Sequence, residues 1–464
     1  MGWINTILTS ANDFLYTNIL IILLIAAGLF FTFRTKFAQF TLLPDGFRSL
    51  KEKSDGKKVS SFQALMLSTA SRVGTANIAG VTSAIVTGGP GAVLWMWIIA
   101  LIGSASAFVE STLAQIYKTK DGDNFRGGPS YYIQKALGKK WLGSLFAIIL
   151  VVCFSFGFNP LQAHNLSSSL SYYIPNYFNS IYPWILGLVL SVITALIIFG
   201  GLNRISHIVS FIVPVMAIVY ISMGLYIVAA NLEKIPDMIT LIFRSAFDFK
   251  AIFGGFTGSV LMLGIKRGLL SNEAGMGSGA NAAATAHVDH PITQGIVQVI
   301  SVFIDTMLIC TTSAMIVLLS GVDLKCGLNE VPFVQAAVSN AIHPFAIHLI
   351  TFSIIAFAFS SIIGNHYYAE ANLGLLNNSK TAFFIFRVLA LFAIFMGSIA
   401  SAKTVWNLAD LLMGIMAVVN IIVILLLHDV VKKALDDYKS QKKLGKTPVF
   451  KAEEVGIKNT DVWK

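Results

Sequence analysis

The chain has 464 residues, of which 55% are hydrophobic and only 12% are charged. Soluble proteins carry about 25% charged residues, so water cannot surround most of this chain and a lipid bilayer must be its main solvent. The net charge of +10 would suit nucleic acid in a soluble protein, but here the basic residues flank apolar runs and no nucleic-acid partner is expected.

A helix needs roughly 20 apolar residues to cross the hydrocarbon. Apolar runs predict an all-α polytopic membrane protein with about 11 transmembrane helices. The first covers roughly 16–34, and its uncharged start gives no sign of a cleavable signal peptide. The next spans fall at roughly 60–86, 91–118, 140–168, 182–200 and 205–230. A charged, amphipathic stretch at 232–250 reads as a helix lying on the membrane surface, and 127–137 as a similar one on the other side. The remaining spans fall at roughly 252–270, 291–320, 335–364, 382–400 and 405–428. The polar tail 432–464 is expected to be mobile.

Lysine and arginine crowd into 34–59, into 118–140 and into the tail, which holds nine lysines after residue 428. If every span crosses once, these segments share a side. The positive-inside bias then puts the C-terminus in the cytoplasm and the N-terminus outside the cell (inner) membrane. Cys153, Cys310 and Cys326 form no close-spaced motif, so neither a disulfide nor a metal framework is expected.

Two spans are expected to be broken. The second contains STASRVGTANIAG at 68–80, and the seventh contains FGGFTGS at 253–259. Glycine costs about 1 kcal/mol against alanine inside a helix, and unpaired backbone in hydrocarbon costs several more. Irregular backbone survives at membrane depth where it lines a cavity. Each interruption opens a set of five spans, 60–230 and 251–428, and an odd number inverts the second set across the membrane. The chain is thus divided into a segment 1–59 with the first helix and a basic loop, a first repeat 60–230, the surface helix 231–250, a second repeat 251–428 and a tail 429–464. Tight packing of small residues is the competing explanation for a glycine-rich span. In an inverted repeat, half-helix N-termini point N–H groups at an anion while freed carbonyls coordinate a cation. An amino-acid carboxylate with co-transported Na⁺ suits that geometry.

The runs VGTANIAG (73–80), GGPGAVLWMWIIALIG (88–103), RGLLSNEAGMGSGANAAATA (267–286), FIDT (303–306) and GNHYYAEANL (364–373) resemble the alanine or glycine:cation symporter family, also called the sodium:alanine symporter family. The resemblance implies a leucine-transporter-type fold, a five-plus-five inverted repeat with one extra N-terminal helix. It implies Na⁺-coupled uptake of alanine, glycine or a related amino acid. The chain departs from the family pattern at Arg72, Ala76, Leu94, Ala280 and Asn365. Many carriers of this family have Trp at the place of Asn365. The pair SRVGT and GNHYY is similar to a branch associated with glutamine as well as alanine, and a smaller Asn365 leaves room for a longer amide side chain.

With that resemblance, the substrate carboxylate is expected on backbone N–H groups of Gly74 and Thr75 and on the Thr75 hydroxyl. Asn77 reads either as a cation or substrate ligand or as an interhelical hydrogen-bonding residue. Gly255, Phe256, Gly258 and Ser259 are expected to line the pocket from the second break. Gln162 matches a substrate-facing Gln of the family; Asn159, His164 and Asn165 are weaker candidates beside it. For Na⁺ the resemblance points to the hydroxyls of Ser360 and Ser361 and the carbonyls of Ala70, Val73 and Phe357, a neutral oxygen set suited to a hard cation. Arg72 is expected to pair with Glu110 or Asp305 or to act as a gate. Glu273, Asp305, Glu370 and Asp410 read as gate or scaffold groups. No zinc motif, nucleophile elbow or His–Cys cluster is present, so an enzyme is not expected. No filter strand or charged ring suggests a channel. A membrane sensor that binds amino acid without moving it is the distant alternative, and no obligate protein partner is evident.

Overall fold

The structure is a computed structural model that describes residues 2–51, 58–122, 124–248 and 259–463. Among the described residues, eight helices are long and apolar enough to cross a membrane, and Tyr182–Ile198 is a shorter apolar helix. The first span, Asn5–Arg34, passes through a wide π turn at Tyr16–Leu20. It packs on Ala92–Ile116, where a Cβ on Gly28 would lie 2.9 Å from the Ile102 carbonyl. It also packs on Ala402–Leu426, to which Tyr16 donates a hydrogen bond at Asp410 O (2.9 Å).

The predicted first break is present. The Ser61–Arg72 helix opens with a reciprocal capping box between Ser60 and Gln63. It stops at Val73, whose ψ of 82° leaves the helical region. Gly74 is extended, and the chain resumes as a short turn at Thr75–Asn77 and a helix at Ala79–Ser83.

The expected second break, FGGFTGS at 253–259, lies outside the described residues except for Ser259. Gly255, Phe256 and Gly258 fall outside the described residues. Ser259 is the N-cap of the helix Val260–Asn272, its hydroxyl accepting from Met262 N (3.2 Å), and that helix runs unbroken to Asn272. The backbone then leaves the helix over 273–278 and resumes at Gly279–Thr285. Glu273 (φ 54°), Gly275 (87°) and Gly277 (83°) all take left-handed conformations. Two of them are glycine, which enters that region at no steric cost. In SNEAGMGS the glycines alternate with larger residues, and over the described residues 259–285 it is their backbone that leaves the helix.

The predicted span 335–364 is also corrected. It divides at 342–345, around Pro344, into Glu330–Ala341 and the longer Ala346–Leu376. The surface helix is Ile235–Ala246; its apolar face buries Met238, Ile242 and Ala246, and Ser245 Oγ accepts from Gly91 N (3.1 Å).

The tail is not loose. His428–Lys443 is a helix, and beyond it Phe450, Ala452, Ile457 and Trp463 are buried. Trp463 donates its indole N–H to Gln115 O (2.7 Å). Ion pairs Arg34–Asp429 (2.7 Å), Lys442–Asp45 (2.6 Å) and Lys135–Asp461 (2.6 Å) gather the three basic segments at one end of the molecule. Three large apolar side chains, Phe450, Ile457 and Trp463, in an otherwise polar segment are the signal for docking. Charge composition alone hid it.

Candidate functional site

The first break stands between two long helices. The Ala346–Leu376 helix approaches so closely that a Cβ on Gly364 would lie 2.8 Å from Ser71 N. One turn along the same helix, Ser361 Oγ donates to Ala70 O (3.0 Å) and Val73 O (3.4 Å). These are carbonyls at the end of the Ser61–Arg72 helix, which the break deprives of helical partners. Three oxygens of the expected cation set therefore converge. Ser360 turns differently: its hydroxyl donates to Phe357 O (3.0 Å) in its own helix and lies 3.4 Å from Met216 Sδ.

On the other side of the break, the Lys140–Leu170 span bends through a wide turn at Cys153–Phe158 and presents Gln162. Gln162 Oε1 accepts from Thr75 N (2.9 Å) and Thr75 Oγ1 (2.7 Å), and Asn165 Nδ2 donates to Thr75 Oγ1 (2.8 Å). A side-chain carbonyl thus occupies the two Thr75 donors expected to receive a carboxylate. The Gly74 N–H is held within the break by Asn77 Oδ1 (3.0 Å) and Arg72 O (2.9 Å). Thr75 and Ser361 have no exposure and Gln162 has 5%, so the site is closed toward both ends.

Asn77 ties the two halves together. Its Nδ2 donates to Asp305 Oδ1 (2.6 Å) and Ser271 Oγ (2.8 Å), which stand on two helices of the second half. Asp305 also accepts from Thr306 Oγ1 (2.9 Å) and from Ser271. The wide turn Phe303–Cys310 carries both Asp305 and Cys310 toward the break. Asn365 accepts from Ser71 Oγ (2.7 Å), one turn from Ser361. Ser259, at the far end of its helix, is a cap rather than a neighbour of Thr75.

The expected ion pair of Arg72 is not formed. Its guanidinium donates to Gln298 Oε1 (3.1 Å) and Gln298 O (3.4 Å). Glu110 instead accepts from Gly277 N (3.0 Å) and Asn420 Nδ2 (2.8 Å), and Glu273 from Ser278 (2.6 Å) and Ser71 (3.1 Å). The carboxylates Glu110 and Glu273 hold the second interruption and leave Arg72 to an amide. Glu370 pairs with Arg387 (2.8 Å), and Asp410 with Arg267 through two bonds (2.9 and 3.2 Å). Arg267 also lies over the Trp406 ring at 4.2 Å. Built on Gly80, a Cβ would touch both Arg267 and Trp406 at 3.4 Å, so this stack rests on the Ala79–Ser83 half of the first broken helix.

Sequence reading missed Ser71, Ser271 and Gln298. Ser71 and Ser271 stand among other polar residues (SRVGT, SNEAG) and Gln298 in the apolar run GIVQVIS, so residue type and spacing single out none of them, and only burial marks each.

Comparison with known proteins places this geometry in context. The sodium:alanine symporter family model matches residues 1–452. Amino-acid carrier protein AlsT of Bacillus subtilis (strain 168) is 46% identical over 100% of this chain and 98% of its own length. The probable sodium/glutamine symporter GlnT of the same organism is 46% identical over 95% of this chain and 92% of its own. Sodium/alanine symporter AgcS of Methanococcus maripaludis is 36% identical, covering 92% and 95%. Among solved structures, MhsT in complex with L-phenylalanine superposes with a TM-score of 0.53 at 14% identity, over 80% of this chain and 98% of that one. That likeness shows the leucine-transporter-type fold. With a family match over residues 1–452 and a relative 46% identical over its whole length, this chain belongs to the sodium:alanine symporter family.

Proposed function

We propose that the protein is a Na⁺-coupled symporter that imports a small neutral amino acid, alanine or glycine, by alternating access. The observation that supports this reading is that one break gathers two sets of polar groups, one suited to a cation and one to a carboxylate. Ala70 O and Val73 O face Ser361 Oγ, and two residues later Thr75 N and Oγ1 face Gln162. Neutral carbonyl and hydroxyl oxygens suit Na⁺, and residues Ala70, Val73 and Ser361 would hold it, with Ser360 and Phe357 on the adjoining turn. The substrate carboxylate would take the Thr75 donors by displacing Gln162 Oε1, and the freed Gln162 amide then contacts the substrate. Na⁺ orders the same backbone segment that receives the carboxylate, so each cargo strengthens binding of the other by the same factor. The first and second helices of each half, 60–230 and 251–428, then rock against the remaining helices, with the Arg267–Asp410 pair covering one end of the path. The end that gathers the basic segments faces the cytoplasm, and the N-terminus faces outside the inner membrane.

A second reading has its own support. Asn365 stands where an indole is usual in many carriers, and GlnT is named for glutamine, so glutamine is the competing cargo. Purified protein in proteoliposomes, offered labelled alanine, glycine or glutamine with and without an inward Na⁺ gradient, tests both. Uptake that is equal in K⁺ buffer rejects sodium coupling, and preference for glutamine over alanine selects the second reading.

A further inference from the structure

Far from the central break, the first span and the tail helix meet at the basic end of the molecule. Between them is a cavity of about 580 Å³ lined by Phe30, Phe33, Arg34, Lys36, Lys432 and Asp436. Its two levels differ in chemistry. Phe30 and Phe33 belong to the last turns of the Asn5–Arg34 span and are 40% and 66% exposed, so their rings face hydrocarbon. The span ends at Arg34, and Lys36 and Phe37 then take left-handed backbone (φ 55° and 57°) that turns the chain aside and leaves Lys36 exposed. The tail helix His428–Lys443 buries Val431, Ala434, Leu435 and Tyr438 on one face. Along another it presents Asp429, Lys432, Asp436 and Lys439, at steps of three and four residues.

The charges at this meeting point do not balance. Arg34 donates through Nη2 to Asp429 (2.7 Å), and its side chain is still 36% exposed. Neither Lys36 nor Lys432 forms an ion pair among the described residues. Lys439 donates to Thr35 O (3.4 Å); desolvation first, and then the Lys36 charge beside it, hold its pKa below the usual lysine value. Four cations thus stand with two carboxylates, at the level where a bilayer carries its headgroups. A free anion would satisfy the cations and leave the two phenyl rings to water. A zwitterionic headgroup would bring a further cation against the lysines. A phosphodiester with acyl chains and no positive charge suits both levels.

We propose that this cavity binds one anionic phospholipid, with its phosphate among Arg34, Lys36 and Lys432 and an acyl chain along Phe30 and Phe33, and that the lipid fastens the tail helix to the first span. The consequence reaches further along the tail. His290 Nε2 lies 3.2 Å from Asp437 Oδ2 of the same helix, and Phe450 N beyond it donates to Asp289 O (2.9 Å). A lipid that holds the helix therefore also steadies the docked tail against the loop before Pro291.

The test uses the full chain in nanodiscs of phosphatidylcholine with a minority of phosphatidylglycerol, and counts by native mass spectrometry the lipid that stays with the released protein. Selective retention of one phosphatidylglycerol is expected. Each lysine beside an anionic lipid is worth about fivefold in affinity, so Lys36→Gln with Lys432→Gln should weaken retention about 30-fold. Lys120→Gln with Lys458→Gln removes the same charge from exposed positions at the same end and should leave retention unchanged. Protease should cut the tail more slowly when phosphatidylglycerol is present, and the Lys36/Lys432 double variant should lose that difference. Melting in phosphatidylcholine alone checks that both double variants fold. Equal retention of the two lipids, or equal losses in the two double variants, overturns the proposal. Displacement of the lipid by soluble glycerol phosphate at matched concentration would show a site for phosphate alone and overturn the assignment to lipid.

Discussion

Gly74→Ala is a sharp probe of the shared break. Gly74 has φ −119° and ψ −167°, extended backbone open to any residue, so the substitution brings no conformational strain. Its effect comes from contact alone. The added Cβ would lie 2.5 Å from Ser361 Oγ and 2.8 Å from Gln162 Nε2, closer than real Cβ contacts. Overpacking of this kind costs about 1–3 kcal/mol. The cheapest relief rotates Ser361 Oγ away from Ala70 O and Val73 O and pushes Gln162 off Thr75. If that cost falls on the Na⁺-bound state, half-saturation by Na⁺ rises roughly 5- to 150-fold. The assay is a Na⁺ titration of labelled alanine uptake in proteoliposomes, with thermal melting of the purified protein as a control for folding. A second variant isolates the contact. Ser361→Ala removes the oxygen that the new methyl strikes, so the double variant should lose less than the sum of the two singles. An unchanged Na⁺ requirement in a folded Gly74→Ala protein would refute the assignment of this break to sodium.

Four further outcomes follow from the same geometry. Ser361→Ala should raise the Na⁺ requirement more than Ser360→Ala, because only Ser361 bridges to the broken helix while Ser360 bonds within its own; equal effects in a Na⁺ titration would count against that distinction. Gln162→Glu places a carboxylate on the Thr75 donors and should lower the affinity for alanine by at least about tenfold through like-charge repulsion, read as KM for uptake. Asp410→Asn leaves Arg267 buried without its counter-charge, and loss of one partner of a buried pair costs about 3–5 kcal/mol, which should appear as a lowered Tm that Asp410→Glu partly restores. Lys118 is buried beneath Phe125 and Trp463, and desolvation lowers its pKa from 10.5 to about 7. Between those values the docked state lacks a proton that the released state binds, so docking of the tail strengthens as pH rises from about 7 and is weakest below it. Protease should therefore cut the tail faster at pH 6 than at pH 9, and Lys118→Met should abolish the difference.

The residues that could be read in advance share a property. Thr75 and Gly74 sit in a run where glycine, hydroxyl and amide side chains interrupt an apolar span, and that contradiction is visible in one dimension. The Ser361 and Gln162 expectations came from resemblance, since a lone hydroxyl or amide in a span looks the same whether it back-bonds or reaches a partner. The interruption at 273–278 could not be read the same way. SNEAGMGS is rich in small residues, but so are tightly packed helices, and only its backbone torsions show that it leaves the helix. A buried cation at Arg72 leads sequence reasoning to an acid, Glu110 or Asp305, or to a gate. The structure gives it Gln298, because Glu110 and Glu273 already satisfy backbone and hydroxyl donors around the second interruption.

By itself the sequence determined the solvent, the helical class, the clustering of basic segments and the first break. Each of these follows from local composition, which fixes whether a segment can lie in hydrocarbon and whether it can stay helical there. Tertiary structure decided which oxygens meet: Ser361 with Ala70 and Val73, Gln162 with Thr75, Asn77 with Asp305, and the tail with Gln115. These contacts join residues 87 to 348 positions apart in the chain. They depend on how closely helices can approach, a distance set at Gly74 and Gly364 by the absence of a side chain and legible only once the neighbouring helix is in place.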